Sequence, residues 1–554
     1  MELTGELLFV PLGGIGEIGK NFYLYGYEGN WLAVDCGITF GDDTTPGIDT
    51  ILPDPAFAAE HREDLLGIVV THAHEDHIGA IHLLWPRLRC PVYVTPFAAS
   101  VLERKLGEVG LNGTVPVHLM RPGDRLKLGP FEVEPVHVTH SIPESTALAL
   151  RTPAGTVFHS GDWKLDPEPV IGAPTDAARL REIGEAGVAV MVCDSTNVLE
   201  EGAAGSEAEV REGLRQLIGE LDGRRVTVTC FSSNVARIDS IARAAAANDR
   251  SVVLVGRSLR TMTTAAMQNG MLEDLPPFLD ESDAAELPPE RTVLIATGSQ
   301  GEARAALTRI AFGEHRHVDI GPDDVVVYSS RVIPGNELAI HRQQNALMRR
   351  GVHVITEHDR HVHVSGHPAR GELRQMYEWI RPRFVVPMHG ETRHIYEHVD
   401  FAREQGVEAA FAIENGQMLR LAPGVPEVVD HVTVGRMVLE NDELVSLDDG
   451  GLRQRKQIIF NGAAVASLVL DRTGKLAGAP RVTIQGLLDT ALARATTVEA
   501  ERAVEQVVAA LPKQARDNDE VIEEAARVAV RRAFRDRMDV KPVTTVQVLR
   551  LDSA

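Results

Sequence analysis

Between residues 71 and 80 the chain reads THAHEDHIGA, placing His72, His74, Asp76 and His77 directly after the apolar run LLGIVV. Imidazole nitrogens and carboxylate oxygens at this spacing, on a loop that leaves a strand, can converge on a divalent cation. Neutral imidazole suits zinc or manganese, and a carboxylate shared between ions suits a pair of hard cations. A solitary histidine is ordinarily structural, but three histidines and two carboxylates within six positions are not a packing pattern. Two more polar strand ends, His140 in VTHSIP and Asp162 in HSGDWK, join His389 in VVPMHGE to make five histidines and two aspartates. That is more than one tetrahedral ion takes. Two ions about 3.5–4 Å apart, bridged by an aspartate and a hydroxide, would use all seven and would hydrolyse a substrate.

The elements that must position these residues follow from the apolar pattern. The first 200 residues are β-rich and punctuated by turns, in runs such as ELLFVPL, NFYLYGY, WLAVDCG, LLGIVVTH and VAVMVCDST, several ending in a polar residue. Strand ends of a layered α/β protein collect on one edge, where sites are built. From 206 the rhythm changes: Ser206 with Glu209 opens a helix as a capping box, and VTVTC, SVVLVG, TVLIATG and DVVVYSS alternate with helical stretches. This predicts a second, parallel α/β domain. After VHVITE the chain returns to strands ending in histidines, so the second domain is an insertion. The predicted layout is a first domain over 1–205 and 370–440, an inserted domain over 206–369, a linker at 441–460 and a small α/β terminal domain at 461–554.

Composition sets outer limits. A chain of 554 residues, 44% hydrophobic, needs more than one core. It has no apolar stretch of transmembrane length and no signal-like start, which predicts a soluble, cytoplasmic protein with no membrane partner. Cys36, Cys90, Cys193 and Cys230 are too scattered for a disulfide framework or thiolate zinc site. A net charge of −23 argues against a broadly basic nucleic-acid face, though not against a local basic channel. Gly14, Gly16 and Gly19 mimic a dinucleotide fingerprint, but NFYLYGY follows as a strand, so NAD is rejected in favour of a glycine-rich turn near the site.

HAHEDH, with His140 and Asp162, resembles the HxHxDH signature of the metallo-β-lactamase superfamily, and Asp35 in VDCG resembles its early strand-end aspartate. The resemblance implies an αββα sandwich with metals at one edge. It further implies that His72, His74 and His140 hold one ion, that Asp76, His77 and His389 hold the other, that Asp162 bridges, and that Asp35 orients a ligand histidine. The inserted domain and its flanks resemble the β-CASP nucleases: Asp194 in VCDST is similar to motif A, His367 in HVSGHP to motif B, and His389 to motif C. A histidine at motif C is typical of the RNA-acting branch. The wider set GGIGEIGKN, THAHEDHIGA, HSIPES, SGDWKLD, DSTN, SSRVIPGNE, HVSGH and PMHGE, over about residues 7–440, resembles ribonuclease J of bacteria and archaea. That family implies 5′ to 3′ exoribonuclease activity favouring 5′-monophosphorylated RNA, together with endoribonuclease activity, in messenger decay and RNA maturation.

Within that reading, a hydroxide held between the ions attacks the phosphodiester, and His367, oriented by Asp194, protonates the leaving 3′-oxygen. A pocket for the 5′-phosphate is expected from His363, Ser365, Gly366 and His367, with Ser232 and Ser233 as further candidates; helix capping is the plainer reading of the serines. Arg257, Arg260, Arg331 and Arg370 are candidate phosphate contacts of an RNA channel. The acidic loop with Asp42, Asp43 and Asp49, joined by Asp442 or Asp448, is either a solvated loop or an extra structural cation site. Val521, Ile522, Ala525, Val528 and Ala529 form a helical stripe read as core packing. The resemblance adds a homodimer or homotetramer through the terminal domain and association with RNA-degradation machinery. Two rival readings are a small-molecule hydrolase of thioesterase or lactonase type, which would not need motifs A to C, and a non-catalytic RNA-binding scaffold, against which the full ligand set argues.

Overall fold

The apolar runs of the first part form strands of two facing sheets. One sheet has the order Glu427–His431, Gln417–Ala422, Leu7–Gly13, Phe22–Tyr27, Asn30–Val34, Leu65–Val69, Val92–Val94, Val117–Leu119. The other runs Leu126–Leu128, Phe131–His137, Thr146–Thr152, Gly155–His159, Val190–Asp194, Phe384–Met388, Ala409–Ala410. The computed structural model describes residues 5–42, 44–440, 443–447 and 450–551. It divides into two compact units, Met1–Thr39 with Leu52–Val434, and Phe40–Ile51 with Gly435–Ala554.

Strand alternation decides what fills the space between the sheets. Phe9, Tyr23, Tyr25, Val34 and Val69 of the first sheet meet Phe131, Leu148, Val190, Val192 and Val386 of the second in one buried cluster. On the outer face of the second sheet, Phe158, Met191 and Val385 pack against helices Ala177–Ala186, Arg370–Ile380 and Thr392–Glu404 through Leu180, Met376 and Phe401. Helices Ile81–Leu88 and Pro96–Glu108, which bury Leu84, Leu88, Phe97 and Leu102, supply the remaining layer. The architecture is the expected αββα sandwich, with the chain re-entering it after an insertion.

Parallel pairing brings distant residues to one edge. Gly155–His159, Val190–Asp194 and Phe384–Met388 lie side by side in parallel, with His159 opposite Val192 and Asp194 opposite Met388. Residues just past these strands, near 160, 194 and 389, therefore emerge together. In the other sheet, Asn30–Val34 and Leu65–Val69 are parallel too and deliver Asp35 and the 71–74 loop with the short helix Glu75–Ile78 that follows it. That helix is clamped by backbone bonds from Cys36 N to His77 O (2.7 Å), Ile38 N to Glu75 O (3.0 Å) and Asn21 N to Asp76 O (2.9 Å). The approach is so close that a Cβ on Gly37 would lie 1.7 Å from the Asp76 carbonyl oxygen.

The inserted domain is a six-stranded sheet, Leu279–Asp280, Ser251–Val255, Thr292–Ala296, Val226–Thr229, Val325–Tyr328, His353–Ile355, parallel throughout. Its strands are apolar on both faces because helices cover both, giving two buried clusters. Ser206 caps helix Glu207–Glu220 and Glu209 closes the capping box.

Two carboxylates tie this domain to the sandwich. Asp166 pairs with buried Lys164 (2.9 Å) and accepts from Ser206 Oγ (2.7 Å) and Glu207 N (2.8 Å). Glu372 accepts from Leu165 N, Ala204 N and Ala369 N, gathering the outgoing and returning strands of chain. Buried Arg237 bonds Glu207, Ser329 and the Val362 carbonyl, binding the first helix of the insertion to its sheet.

The second unit corrects part of the expected layout. Residues 441–460, read as a linker from their charge and Gly pair, contain strand Glu443–Ser446 and helix Gly450–Asn461. The strand joins a four-stranded sheet ordered Glu443–Ser446, Arg436–Glu440, Thr50–Pro53, Thr39–Phe40, and partners so distant in sequence leave no local signal. Beyond it, Arg481–Gln485, Ala463–Leu470 and Val543–Arg550 form a three-stranded sheet packed on helices Ala491–Ala510 and Asp519–Met538. On the last helix the buried stripe is Ile522, Ala526, Val530 and Phe534. The stripe read as core is thus only partly so: Val521 and Val528 are 39% and 45% exposed and line a groove between the two helices.

Replacing Asp166 by alanine would leave the Lys164 ammonium buried without its counter-charge, at a cost of about 3–5 kcal/mol. All four tryptophans (Trp31, Trp85, Trp163, Trp379) lie in the first unit. The expected outcome is a lower urea midpoint by tryptophan fluorescence; an unchanged midpoint would remove this joint from the stability of the fold.

Candidate metal centre and active site

The sandwich edge gathers the seven expected ligands into two sets. His72, His74 and His140 form one; Asp76, His77, Asp162 and His389 form the other, with one ligand atom of each within 4.8 Å of the rest of its set. In the first, His74 Nδ1 stands 3.0 Å from both His72 Nε2 and His140 Nε2. In the second, Asp162 Oδ2 lies 3.1 Å from His77 Nε2 and from His389 Nε2, and Asp76 Oδ2 lies 3.5 Å from His77 Nε2. Asp162 Oδ2 is also 4.0 Å from His72 Nε2 and 3.9 Å from His140 Nε2, so it stands between the sets. Its other oxygen, Oδ1, is buried with no hydrogen-bond partner.

These residues fit divalent cations. In each histidine one ring nitrogen faces the cluster, and the other is engaged outside it. His72 Nδ1 meets Thr71 Oγ1 (3.0 Å), His74 Nε2 meets Ser233 Oγ (3.0 Å), His77 Nδ1 meets Asp35 Oδ2 (2.8 Å), His140 Nδ1 meets the Gly366 carbonyl (2.6 Å), and His389 Nδ1 meets Asn21 Oδ1 (2.9 Å). Outer partners of this kind fix the tautomer and ring orientation of metal-ligating histidines.

Electrostatics separates the two sets. Burial, aided by neighbouring imidazoles, pushes His72 and His140 well below the usual histidine range, and burial lowers His74 to about 4. They are neutral at physiological pH, with lone pairs available. Burial also opposes a charge on His77 and His389, but Asp162 and the neighbouring carboxylates prevail and raise both. Carboxylates that hold protons there would equally hold cations.

Beside the second set, His367 Nδ1 bonds Asp194 Oδ2 at 2.8 Å and lies 4.0 Å from Asp162 Oδ2. Its ring stacks on His389 with centroids 5.4 Å apart. Burial opposes protonation of His367, yet Asp194 and the other aspartates raise it to about 9. The imidazolium is therefore the dominant form at neutral pH, with Nε2–H left to donate.

The remaining expected residues divide. Ser365 Oγ accepts from Asn197 Nδ2 (2.7 Å) and His367 N (3.2 Å), leaving its own proton to donate. A Cβ on Gly366 would lie 2.6 Å from Ser141 Oγ, so only glycine fits, and its carbonyl is committed to His140. His363 Nδ1 faces Arg237 at 3.4 Å. Ser232 and Ser233 follow strand Val226–Thr229, half-buried, with Ser233 turned to His74. The four candidate arginines have different surroundings. Arg331 pairs with Glu200 and Arg260 with Asp280; Arg370 binds Glu201, Glu397 and the Val198 carbonyl; Arg257 is exposed at the start of its helix. Three of the four thus carry acidic partners, in a chain with a surplus of carboxylates.

Of the acidic loop, Asp43, Asp442 and Asp448 lie outside the described residues. Asp42 Oδ1 is taken up by Thr44 N, Thr44 Oγ1 and Thr45 Oγ1 in a local turn. All four cysteines are free and buried.

Asn21 was not anticipated. Besides receiving His389 Nδ1–H and the Tyr23 hydroxyl (2.8 Å), it donates to the Asp76 carbonyl (2.9 Å). It ends the run GGIGEIGKN, and a lone amide outside the imidazole and carboxylate clusters carried no signal. The glycine-rich turn itself abuts the site: His389 N donates to the Gly14 carbonyl at 2.7 Å, and Ile15–Gly16 pairs with Gly390–Glu391.

Comparison with known proteins gives the wider context. Residues 30–184 match the family described as beta-lactamase superfamily domain, 223–347 the ribonuclease J beta-CASP domain, 351–411 the Zn-dependent metallo-hydrolase RNA specificity domain, and 450–551 the ribonuclease J C-terminal domain. A ribonuclease J of Sinorhizobium meliloti is 45% identical over 100% of this chain and 98% of its own length. One from Mycolicibacterium smegmatis is 40% identical over 87% of each chain, and one from Helicobacter pylori 33% identical over 85% of this chain and 69% of its own. A crystal structure of a protein of unknown function from Enterococcus faecalis shares the fold, with a TM-score of 0.51 and 16% identity over 74% of this chain and 99% of that one. With its sandwich, its inserted domain and its terminal domain all matched, the chain belongs to the ribonuclease J family.

Proposed function

We propose that this protein is a cytoplasmic ribonuclease that degrades 5′-monophosphorylated RNA from the 5′ end and also cleaves internally, in RNA decay and maturation. Membership of its family makes it a metal-dependent nuclease of the β-CASP group. His72, His74 and His140 would hold one divalent cation, zinc or manganese, and Asp76, His77 and His389 a second, with Asp162 shared. Such ions, when bound, activate water and offset charge growing on the phosphoryl oxygens.

The chain's own residues supply the rest. His367, held as an imidazolium by Asp194, donates its Nε2 proton to the departing 3′-oxygen. Asp194 also accepts from Thr196 N (2.9 Å), which fixes the carboxylate that orients the ring. Asn197 positions Ser365, whose hydroxyl is free to donate to a terminal phosphate. The observation that carries this reading is the Asp194–His367 pair set 4.0 Å from Asp162 by the segment returning from the inserted domain. A small-molecule hydrolase of the superfamily would have no use for an acid in that place.

Self-association is assigned to the groove between helices Ala491–Ala510 and Asp519–Met538, where Val507, Val521 and Val528 line a concave surface. Association with RNA-degradation machinery belongs to the same reading.

Asp76→Ala and His77→Ala are expected to abolish cleavage and leave RNA binding measurable by filter retention; full turnover by either would overturn the two-ion arrangement. His367→Ala is expected to slow turnover about 10²–10⁴-fold with metal content unchanged by elemental analysis, since its loss removes a proton donor and no ligand. An unaltered rate would refute the acid role. End-labelled 5′-monophosphate RNA, incubated with metal-stripped protein restored by zinc or manganese in turn, should release mononucleotides from the 5′ end. Cleavage with neither cation would overturn the function, and internal fragments alone would overturn its exonucleolytic part.

A further inference from the structure

The outer nitrogens of the five ligand histidines are held from two different places. His72, His77 and His389 are oriented by Thr71, Asp35 and Asn21, all within the sandwich. His74 and His140 are oriented by Ser233 Oγ and the Gly366 carbonyl. Ser233 follows a strand of the inserted sheet, and Gly366 lies two residues past Val364 of the inserted domain's core. The four-residue set is thus complete within the sandwich, whereas two of the three histidines of the other set take their orientation from the insertion.

We propose that Ser233 is a positioning residue for the three-histidine set, and that through it the grip of this set on its cation depends on the seating of the inserted domain. The geometry requires a specific proton arrangement. His74 Nδ1 is turned to His72 and His140, so its Nε2 carries the hydrogen and donates to Ser233 Oγ. Ser233 keeps its own hydrogen for another acceptor. It sits between strand Val226–Thr229 and helix Val235–Ala246, with Asn234 capping the helix and Val235 N bonded to the Ser233 carbonyl (2.9 Å). A serine held so closely by strand and helix moves with the domain. Withdrawal of the domain would leave His74 and His140 free to rotate, and loss of an outer partner of this kind typically costs 10–100-fold in metal affinity. By reciprocity, cation binding at the three histidines draws the inserted domain onto the sandwich.

This inference rests on the two-ion reading, and one experiment separates them. Co²⁺ is titrated into metal-free wild-type, Ser233→Ala and Ser233→Thr full-length protein, and withdrawn with a competing chelator. Wild type should bind two Co²⁺. In Ser233→Ala one of the two should leave about 10–100-fold more readily while the other is unchanged, and Ser233→Thr, which keeps the hydroxyl, should resemble wild type. Co²⁺ should also slow amide hydrogen exchange across residues 231–235 in wild type and not in Ser233→Ala. Fewer than two Co²⁺ in wild type would overturn the two-ion reading. Two in wild type with an unchanged curve for Ser233→Ala, equal weakening of both ions, or no rescue by threonine would overturn this inference alone.

Discussion

One carboxylate oxygen organises the site. Asp162 Oδ2 lies within 4.0 Å of nitrogen atoms from five histidines, namely His72, His77, His140, His367 and His389. The outward nitrogens of the ligand histidines are already engaged, while His72 Nε2, His74 Nδ1 and His140 Nε2 face one another around it, and a cation between such groups would take up their inward lone pairs. Each neighbouring element serves this arrangement. Parallel pairing of Gly155–His159, Val190–Asp194 and Phe384–Met388 makes residues more than 200 positions apart emerge at one edge, and the clamp of residues 36–38 on the short helix Glu75–Ile78 fixes Asp76 and His77. Asp35 and His389 even occupy the left-handed region, with φ of 60° and 51°, as residues do where surrounding structure imposes a functional geometry.

Much of the site was legible because its chemistry is written in residue type. Imidazoles and carboxylates dense enough to exclude a packing role announce a metal, and strand-end placement announces a shared edge. The capping box at Ser206 and Glu209 was legible for a similar reason, as a local contact between residues three apart. What could not be read were roles that depend on direction. Asn21 is an unremarkable amide until the fold brings His389 to it from 368 positions away. Ser233 looked like a phosphate donor or a cap, and only the docking of two domains turns its hydroxyl to His74. The arginines carry a related lesson: the sequence shows their charge but not the glutamates and aspartates that partner Arg260, Arg331 and Arg370.

That pairing bears on how so acidic a chain meets a polyanion. With much of the positive charge spent on its own carboxylates, the proposed function calls for a local attraction, through the cations the site would hold and neutral donors around it. Ser365, whose oxygen accepts two hydrogen bonds, keeps a hydroxyl proton that the proposed function would direct to a phosphate. Recognition by oriented hydroxyls and backbone groups is short in range and favours a phosphate already placed over a long-range pull on any strand.

The segment 40–51 has a consequence for how the chain is made. It belongs to the second unit, where the strand that begins at Thr50 lies beside Arg436–Glu440 in the sheet. During synthesis it emerges among the first residues, shortly after Asp35, and nearly four hundred more must follow before that neighbour exists. At about 5–20 residues per second that is a wait of about 20–80 s. Throughout that interval a short stretch with unpaired backbone donors and acceptors must stay free of wrong partners, and its three aspartates, two threonines, one glycine and one proline between residues 42 and 49 suit it to waiting.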